Sequence, residues 1–245
     1  KKARGKYIGW VDADDWLASD MYEHLYFILK AYNADISECK YFLMVNGRKE
    51  IKGYGTGIEK GDKDFMINLY IKKQMNESLC TKLIDKKLYE NFNFPEGMVF
   101  EDVRCVLHFC LMKPLYVRSE LPKYFYRRTE NSIISAPFTR KSSKTSILLL
   151  KDQLELIKKS KNIDELQKNR LKESIIDSSL GRYLIMRLSN DYIIRVKHAA
   201  IYKRYFKYSL FKCIFFSSHS IQMKTAFFLD KLGMIFIYRI VKKII

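Results

Sequence analysis

With 245 residues, the chain is long enough to bury a sizeable core in one large domain or in two modest ones. Its hydrophobic content of 48% and its four prolines exclude a largely disordered protein. The formal net charge of +18 is unevenly distributed, because residues 138–245 contain 23 basic and 8 acidic side chains whereas residues 1–137 contain 22 and 19. This imbalance predicts two regions with different functions, 1–137 and 138–245.

Membrane-spanning helices and structural disulfides are not expected from this sequence. No apolar run reaches the length of about 18 residues that a transmembrane helix needs. The five cysteines are scattered and form no CxxC pair, so we expect reduced and mostly buried thiols in a cytosolic protein. They are Cys39, Cys80, Cys105, Cys110 and Cys213.

The first part of the chain predicts strands that alternate with helices. Tyr7–Val11 is aromatic and β-branched, which is typical of a short buried strand. The segment after it has helical spacing, with Ser19 or Asp20 as the expected N-cap. The apolar side of this helix comprises Leu17, Met21, Leu25, Ile28 and Leu29. Residues 36–45 then predict a second buried strand, and residues 46–57 predict a turn followed by a loop or hairpin.

The remaining pattern changes from mixed to helical. Residues 64–73 predict a helix, residues 80–89 a strand or short helix, and residues 102–112 a helix that follows a Pro/Gly loop. Residues 114–128 alternate like one or two strands, and from Ser142 onward the spacing is helical. The predicted fold class is therefore α/β up to about residue 135, followed by a helical region.

Three carboxylates lie within four residues directly after the first predicted strand: Asp12, Asp14 and Asp15. Carboxylates this close repel one another unless a cation neutralises them, and hard oxygen ligands suit Mg²⁺ or Mn²⁺. Ligands of open α/β sheets bind beyond the carboxyl ends of strands, where this cluster lies. The alternative is a helix entry in which Asp15 is a cap and the other two aspartates are solvated.

Two further polar segments have a structural and a functional interpretation. Glu101 and Asp102 stand at the start of a predicted helix, where the helix dipole stabilises negative charge. In the functional interpretation, one of this pair is a general base. Arg127 and Arg128 follow an aromatic strand and suit a diphosphate or another anion, or they are an ordinary exposed pair at a strand end.

Taken in order, these segments resemble a known family. The stretches "ARGKYIGWVDADDW", "TKLIDKKLYENFNFPEGMVFEDV" and "YFYRRTENSI" are similar to motifs of the family 2 glycosyltransferases, which are bacterial inverting enzymes of the GT-A fold that build surface polysaccharides. The resemblance covers residues 3–135. It implies that residues 1–137 are the C-terminal part of a GT-A, Rossmann-like domain. It also implies transfer of a sugar from a nucleotide-diphosphate donor, above all a UDP-sugar, to a hydroxyl of a glycan or lipid-linked saccharide.

The resemblance further implies roles for individual residues. Asp12 and Asp14 match the DxD motif that holds Mn²⁺ or Mg²⁺ and the donor diphosphate, with Asp15 as a supporting metal ligand. Asp102 matches the catalytic base that deprotonates the acceptor hydroxyl, so that one displacement inverts the anomeric carbon, and Glu101 is its catalytic neighbour that helps to place the acceptor. The other matches are Arg127 and Ser132 on the donor side and Lys82 and Glu96 on the acceptor side.

The sequence departs from the family at two places. Relatives often have Trp-Asn-Lys-Leu where this chain has Cys80-Thr81-Lys82-Leu83, so the aromatic ring that could stack on an acceptor is missing here. Relatives also have a longer segment before the DxD motif, with the first strands and an aspartate that bind the nucleotide base. Because only eleven residues precede the motif here, we expect a fragment that lacks half of the nucleotide site.

The last part of the chain, residues 193–245, contains eleven basic residues, eleven aromatic residues and a single acid, Asp230. This composition fits an amphipathic segment on an anionic membrane, a helical subdomain with a solvated basic face, or a nucleic-acid surface. Lipid-linked acceptors favour the first alternative, so we expect a protein peripheral to the cytoplasmic face of the plasma membrane, with no nucleic-acid partner. A competing hypothesis is a non-catalytic, membrane-peripheral scaffold or assembly partner.

Overall fold

The computed structural model describes residues 2–90, 92–94, 101–128, 138–205, 221–235 and 238. The chain divides into two compact units. The first comprises Lys1–Ala136 with Glu155–Leu171, and the second comprises Pro137–Leu154 with Lys172–Ile245. The functional division that the sequence predicts after residue 137 stays a prediction.

In the first unit, the described strands form one mixed sheet. They are β1 (Tyr7–Gly9), β2 (Trp16–Leu17), β3 (Ile36–Val45), β4 (Arg48–Lys52), β5 (Ile58–Gly61), β6 (Lys82–Asp85) and β7 (Tyr116–Arg127). Their order is β1-β6-β3-β7-β2, with β4 paired to β3 and β5 paired to β7. Strands β3 and β7 are parallel, and the other described pairs are antiparallel. The helices that accompany the sheet are α1 (Met21–Ala31), α2 (Lys63–Ile71), a 3-10 helix (Lys86–Tyr89) and α3 (Glu101–Cys110).

The parallel pair of β3 and β7 forms the centre of the sheet. The register between the two strands shifts on both sides of Lys40, which lies opposite Pro122. Proline has no backbone N–H to donate to the ladder, and this accounts for the irregularity at that point. The one or two strands predicted over residues 114–128 are therefore a single strand of 12 residues with a local irregularity.

Helix α1 covers one face of the sheet and forms the core with it. The buried residues of this cluster are Met21, Leu25, Ile28 and Leu29 from the helix, Ala34 after it, and Cys39, Cys80, Leu83, Val117 and Tyr124 from or beside the strands. The helical residues are those that the sequence placed on one apolar side, because positions three and four apart share a face of a helix. This packing holds the short strands β1 and β2 on either side of the acidic cluster.

The predicted first helix begins later than its apolar spacing indicated. Trp16–Leu17 belongs to strand β2 and pairs with β7, so the helical assignment of Leu17 was wrong. Helix α1 starts at Met21 and has Asp20 as its N-cap residue. The Asp20 side chain does not cap the helix, because it accepts a hydrogen bond from Lys123 Nζ at 2.5 Å.

The other predicted elements of this unit are present, with small shifts at their ends. However, β1 is a partly exposed strand at the edge of the sheet, so its predicted burial was wrong. Asn46 and Gly47 join β3 to β4 with φ angles of 48° and 76°, the left-handed conformation that tight hairpins favour. Residues 80–89 contain both alternatives that the sequence left open, since a strand is followed directly by a 3-10 helix. Helices α2 and α3 confirm the helices predicted at 64–73 and 102–112.

The helical region begins with α4 (Arg140–Lys159) and α5 (Glu165–Leu188), which have residues in both units. The second unit continues with a π-helix (Ile193–His198), α6 (Ala199–Lys203) and α7 (Ile221–Lys231). Asp230 is fully buried and accepts hydrogen bonds from Tyr183 Oη at 2.5 Å and Arg187 Nε at 2.6 Å. The single acid of residues 193–245 therefore joins α7 to α5 through a buried ion pair.

Four of the cysteines are free and buried, as the sequence predicts: Cys39, Cys80, Cys105 and Cys110. Cys213 lies outside the described residues. Burial raises the pKa of the Cys39 thiol to about 12, which keeps it protonated and unreactive near neutral pH. Within the described ranges, we find no helix that is long and apolar enough to cross a membrane.

Candidate functional site

The acidic cluster forms a turn between β1 and β2. The backbone N–H of Asp15 donates to the carbonyl oxygen of Asp12 at 3.2 Å and closes the turn. Asp12 and Asp14 are exposed, whereas Asp15 is half-buried. The turn therefore presents two carboxylates to solvent and keeps the third beneath them.

Asp15 attaches this turn to strand β7. Its Oδ2 atom accepts a hydrogen bond from Tyr124 Oη at 2.5 Å, and its Oδ1 atom accepts one from the backbone N–H of Arg127 at 2.7 Å. Burial raises the pKa of the Asp15 carboxyl, although both hydrogen bonds oppose the rise, and the neighbouring Asp14 and Asp12 raise it further. Both oxygens of Asp15 are thus engaged, which makes it a structural anchor of the turn. Its supporting role at a metal stays a prediction.

The remaining two aspartates differ in their surroundings. The backbone N–H of Asp12 donates to Tyr124 Oη at 3.3 Å, and its carboxylate lies beside the thiol of Cys80. Burial and then the Asp12 charge raise the pKa of that thiol to about 11. The Asp14 carboxylate has no hydrogen-bond or ion-pair partner among the described residues. Asp14 is therefore the carboxylate of the turn that is most available to a ligand.

A cation lies next to the turn. The guanidinium of Arg127 is above the ring of Trp16, with 5.1 Å from its Cζ atom to the ring centroid. Trp16 stacks in turn on Phe125, with centroids 5.2 Å apart and planes inclined by 10°. This stack holds the side chain of Arg127 beside the segment that carries the aspartates. The other donor-side residue that the sequence indicated, Ser132, lies outside the described residues.

The second predicted group of carboxylates begins helix α3. Asp102 is half-buried and its Oδ1 atom accepts a hydrogen bond from the backbone N–H of Val103 at 2.8 Å. Burial is the main cause that raises the pKa of Asp102; the charge of Glu101 adds to the rise, while the Val103 hydrogen bond and the charge of Lys82 lower it. Glu101 is exposed, and Glu96 lies outside the described residues. A carboxylate with a raised pKa is the more basic one, as a general base requires.

Lys82 is fully buried at the centre of a polar network. Its ammonium contacts Glu38 Oε2 at 3.0 Å and donates to the carbonyl oxygens of Asn76 and Ser78 at 2.5 and 2.7 Å. Tyr116 Oη also donates to Glu38 Oε2, at 2.8 Å. These contacts fix the loop at 76–78 against strands β3, β6 and β7. The acceptor-side role of Lys82 stays a prediction, and its direct contacts are with the protein.

An aromatic cluster connects the acidic turn with helix α3. Trp10, which precedes the turn, donates from Nε1 to Tyr89 Oη at 2.8 Å. Tyr89 packs edge-on against Phe109 of α3, with ring centroids 5.0 Å apart. Phe94 contacts both Trp10 and Tyr89, with centroids 5.3 and 6.2 Å away. The structure thereby joins the two predicted groups of carboxylates through packed side chains.

Two contributors to this site were not predicted from the sequence. Tyr124 binds both ends of the acidic turn, and Cys80 lies beside Asp12. The alternation of "PLYVRSELPKYFYRR" already indicated a strand, and Tyr124 occupies an inward position of that alternation. The pattern could identify a buried side chain, but it could not show which residues its hydroxyl contacts.

A set of three or more His, Cys, Asp or Glu side chains that could hold a metal does not occur among the described residues. Mg²⁺ commonly binds through one or two carboxylates while substrate phosphates and water complete its coordination. Asp12 and Asp14 are exposed, hard oxygen donors in one turn, and this donor set fits such an ion. Mn²⁺ or Mg²⁺ stays a prediction for this pair.

Comparison with known proteins shows similarity to glycosyltransferases. No family model matches the chain. The chain is 29% identical to glycosyltransferase GlyG of Streptococcus pneumoniae serotype 4 over 147 residues, which are 56% of this chain and 48% of GlyG. The chain thus spans about half the length of this curated relative.

Solved structures of S. aureus TarS have a similar fold. The complex of TarS 1–349 with UDP matches with a TM-score of 0.55 and 15% identity, over 83% of this chain and 66% of TarS 1–349. The complex of TarS 1–349 with UDP-GlcNAc matches with a TM-score of 0.50 and 15% identity, over 83% and 67%. The predicted fold class is confirmed as a mixed α/β sheet with a helical region, similar in fold to TarS. The finer assignment to family 2 and to the GT-A fold stays a prediction.

Proposed function

We propose that this chain is part of an inverting glycosyltransferase of bacterial surface-polysaccharide synthesis. The observation that carries the proposal is the turn after β1, in which Asp12 and Asp14 are exposed beside the cation of Arg127. The similarity to GlyG and to TarS supports it. Because the two TarS complexes contain UDP and UDP-GlcNAc, the donor proposed here is a UDP-sugar.

The acidic turn is the donor side of the proposed site. Asp12 and Asp14 would hold Mn²⁺ or Mg²⁺, with Asp15 anchoring the turn through Tyr124. A bound divalent cation supplies positive charge that offsets the charge developing on the departing nucleoside diphosphate. Arg127 and Ser132 contribute a cation and a hydroxyl to the same diphosphate.

Helix α3 carries the proposed acceptor chemistry. Asp102 accepts the proton of an acceptor hydroxyl, and that oxygen then attacks the anomeric carbon as the bond to the diphosphate oxygen breaks. A single base is sufficient for such a displacement, which inverts the anomeric configuration. Glu101, Lys82 and Glu96 are assigned to the acceptor side. The acceptor is a hydroxyl of a glycan or a lipid-linked saccharide.

The basic end of the chain is proposed to bind the cytoplasmic face of the plasma membrane as a peripheral segment. Residues 193–245 contain eleven basic residues and one acid, and the acid is the buried Asp230. Residues 193–245 thus have a formal net charge of +10, and anionic headgroups attract basic segments by about 1 kcal/mol per residue. Nucleic acid is not proposed as a partner.

Calorimetric titration with UDP-GlcNAc in the presence and absence of Mn²⁺ tests the donor side. We expect Mn²⁺-dependent binding that Asp14→Asn weakens about tenfold or more, since metal-site substitutions commonly have effects of this size. Glu23→Gln is the matched control, because Glu23 is an exposed carboxylate in the first turn of α1. Binding that is unaffected by Asp14→Asn would contradict the donor assignment.

The catalytic side is tested by sugar transfer to a glycan acceptor. Asp102→Asn removes the base but keeps a hydrogen-bond acceptor for Val103, so transfer should fall about a hundredfold or more while donor binding is retained. Transfer at the wild-type rate would show that Asp102 is not the base. Complete absence of Mn²⁺-dependent donor binding would instead favour the non-catalytic scaffold.

A further inference from the structure

A cleft of about 390 Å³ lies in the first unit, between the end of hairpin β3–β4 and the loop before β6. Its volume is in the range of small-molecule sites. The cleft is lined by Tyr41, Ile51, Lys52, Gly53, Tyr54, Met75, Asn76 and Glu77. None of these residues belongs to the donor or catalytic assignments above.

The lining combines aromatic faces with polar side chains. Tyr41 and Tyr54 supply two rings, and Glu77 supplies a carboxylate on the opposite loop. The Asn76 amide donates to Thr81 Oγ1 at 3.2 Å and accepts from the backbone N–H of Ser78 at 3.1 Å, which leaves one N–H and one oxygen lone pair for a ligand. Saccharides have apolar C–H faces that pack on aromatic rings, together with hydroxyl groups that need planar hydrogen-bonding partners. Lys52 is paired with Glu50, with Nζ to Oε1 at 2.6 Å, and Glu77 carries a negative charge, so the lining favours an uncharged ligand over an anion. This chemistry suits a neutral sugar ring.

The position of Tyr54 is built into the fold. Gly53 and Gly55 flank it with φ angles of 114° and 88°, a conformation that other residues rarely adopt. A Cβ atom on Gly55 would lie 2.7 Å from Arg118 Nε, so a larger residue would not fit there. Arg118 is itself held by Glu59, with Nη2 to Oε2 at 2.6 Å. The loop thus keeps the Tyr54 side chain 44% exposed at the cleft.

The cleft adjoins the acidic turn through a pair of tyrosines. Tyr41 contacts Tyr126 edge-on, with ring centroids 6.3 Å apart. Tyr126 directly precedes Arg127, whose backbone N–H donates to Asp15 Oδ1 at 2.7 Å. On the other side, the loop carrying Asn76 is bound by Lys82, whose charge acts on Asp102. The cleft is therefore joined by direct contacts to β7, the strand that anchors the acidic turn, and to the buried network of Lys82.

We propose that this cleft is an acceptor subsite that binds a neutral saccharide ring, with Tyr54 and Tyr41 as its stacking surfaces. The proposal rests on the glycosyltransferase function above and specifies where its acceptor binds. It supplies aromatic stacking at a position other than residue 80, where this chain has cysteine. The saccharide ring bound in the cleft belongs to the acceptor but is not the sugar whose hydroxyl reacts. The cleft therefore selects which acceptors are used.

Binding of the chain to a printed array of neutral bacterial and host oligosaccharides tests the subsite. We expect a defined subset of glycans to bind, and Tyr54→Ala to weaken their binding about tenfold, because aromatic anchors dominate such contacts. Phe27→Ala is the control, since Phe27 is an aromatic residue of α1 that is 69% exposed and does not line the cleft. Tyr54 is a loop residue, so its truncation should leave thermal unfolding unchanged; Asn76→Asp at the opposite wall provides a second variant.

The outcomes separate the subsite from the donor assignment. The subsite is overturned if the wild-type chain binds no glycan, or if Tyr54→Ala and Asn76→Asp bind the same glycans as strongly as the wild type does. UDP-GlcNAc titration of Tyr54→Ala should equal that of the wild type. Glycan binding that depends on Tyr54 without any Mn²⁺-dependent donor binding would support the subsite and reject the donor site.

Discussion

At the scale of single residues, one tyrosine hydroxyl determines the shape of the acidic turn. Tyr124 Oη accepts from the backbone N–H of Asp12 and donates to the carboxylate of Asp15, while its ring lies in the core under α1. Burial first, and then the bond to Asp15, raise the pKa of Tyr124, so it remains a donor at every physiological pH. The exposed aspartates are thus supported by a side chain that belongs to the core.

Tyr124→Phe tests this support. The substitution keeps the ring and removes both hydrogen bonds, so unfolding free energy should fall by about 1–3 kcal/mol as Asp15 loses a partner. Mn²⁺-dependent UDP-GlcNAc affinity should fall about tenfold because the turn is no longer held. Urea denaturation and calorimetry measure the two effects. Tyr126→Phe, two residues along the same face of β7, is the control and should change neither quantity. Equal effects of both substitutions would show that the Tyr124 hydroxyl does not specifically support the acidic turn.

Asp102 should show the cost of a buried base in its pH dependence. Its pKa is raised in the folded protein above the ordinary value of 3.8, mainly by burial, so folding favours the protonated form. Below the pKa that Asp102 has in the unfolded chain, its carboxyl is protonated in both states and ionisation costs no stability. As the pH rises through the pKa of the folded protein, the buried carboxyl ionises and the protein loses stability. Asp102→Asn should therefore raise the melting temperature at pH 7, with a gain that shrinks below pH 4. Thermal unfolding across this range measures it, and a gain that grew on acidification would contradict the assignment.

At the scale of secondary-structure elements, local patterns predicted what depends on local spacing. The buried side of α1 follows from apolar residues three and four positions apart. The turn at Asn46–Gly47 follows from the dipeptide itself, because Asn and Gly adopt the left-handed backbone that a tight hairpin needs. Trp16–Leu17 continues the same spacing, yet it pairs with β7, more than a hundred residues along the chain. Spacing cannot show such pairing. For the same reason, the sequence identified Lys82 as a site residue but could not show that it is buried.

The network of Lys82 joins β3, β6, β7 and the loop before β6, so its loss should affect the whole sheet. Lys82→Met leaves Glu38 buried without its cation and two carbonyl groups without a donor, which should cost about 3–5 kcal/mol of unfolding free energy. Lys30→Met, on the exposed side of α1, is the control and should change stability by about 0.5 kcal/mol or less.

A double-mutant cycle separates the ion pair from the bulk of the lysine. In the variant that combines Lys82→Met with Glu38→Gln, part of the lost stability should return, because the glutamine is uncharged and still accepts from Tyr116. Urea denaturation of the four proteins gives the coupling. Additive effects of the two substitutions would show that the pair makes no net contribution.

At the scale of the whole molecule, the two units use buried charge in the same way. In the second unit, Asp230 holds α7 to α5 through Arg187 and Tyr183. Asp230→Asn should lower the unfolding free energy by about 3 kcal/mol or more, since it leaves Arg187 without its anion. Glu155→Gln breaks an exposed pair with Lys159 and should cost about 1 kcal/mol or less. Thermal unfolding compares the two, and equal small effects would show that the buried pair is dispensable.

The uneven distribution of charge along the whole chain predicts binding to anionic membranes. Lys197, Lys203 and Arg204 are exposed in the described part of the basic region. Replacing all three by glutamine should weaken binding to phosphatidylserine vesicles about a hundredfold at low salt, at about 1 kcal/mol for each charge. The matched control replaces three exposed lysines of the first unit, Lys30, Lys72 and Lys113, and removes the same charge.

Vesicle co-sedimentation at rising salt distinguishes a basic membrane surface from net charge alone. If the two triple variants lose binding equally, attraction depends on the overall charge of +18 and the basic region has no special role. If the wild type binds a single-stranded oligonucleotide more tightly than vesicles at the same salt, the region is a nucleic-acid surface instead. Selective loss in the first variant would place the proposed acceptor chemistry at the membrane, because lipid-linked saccharides are presented there.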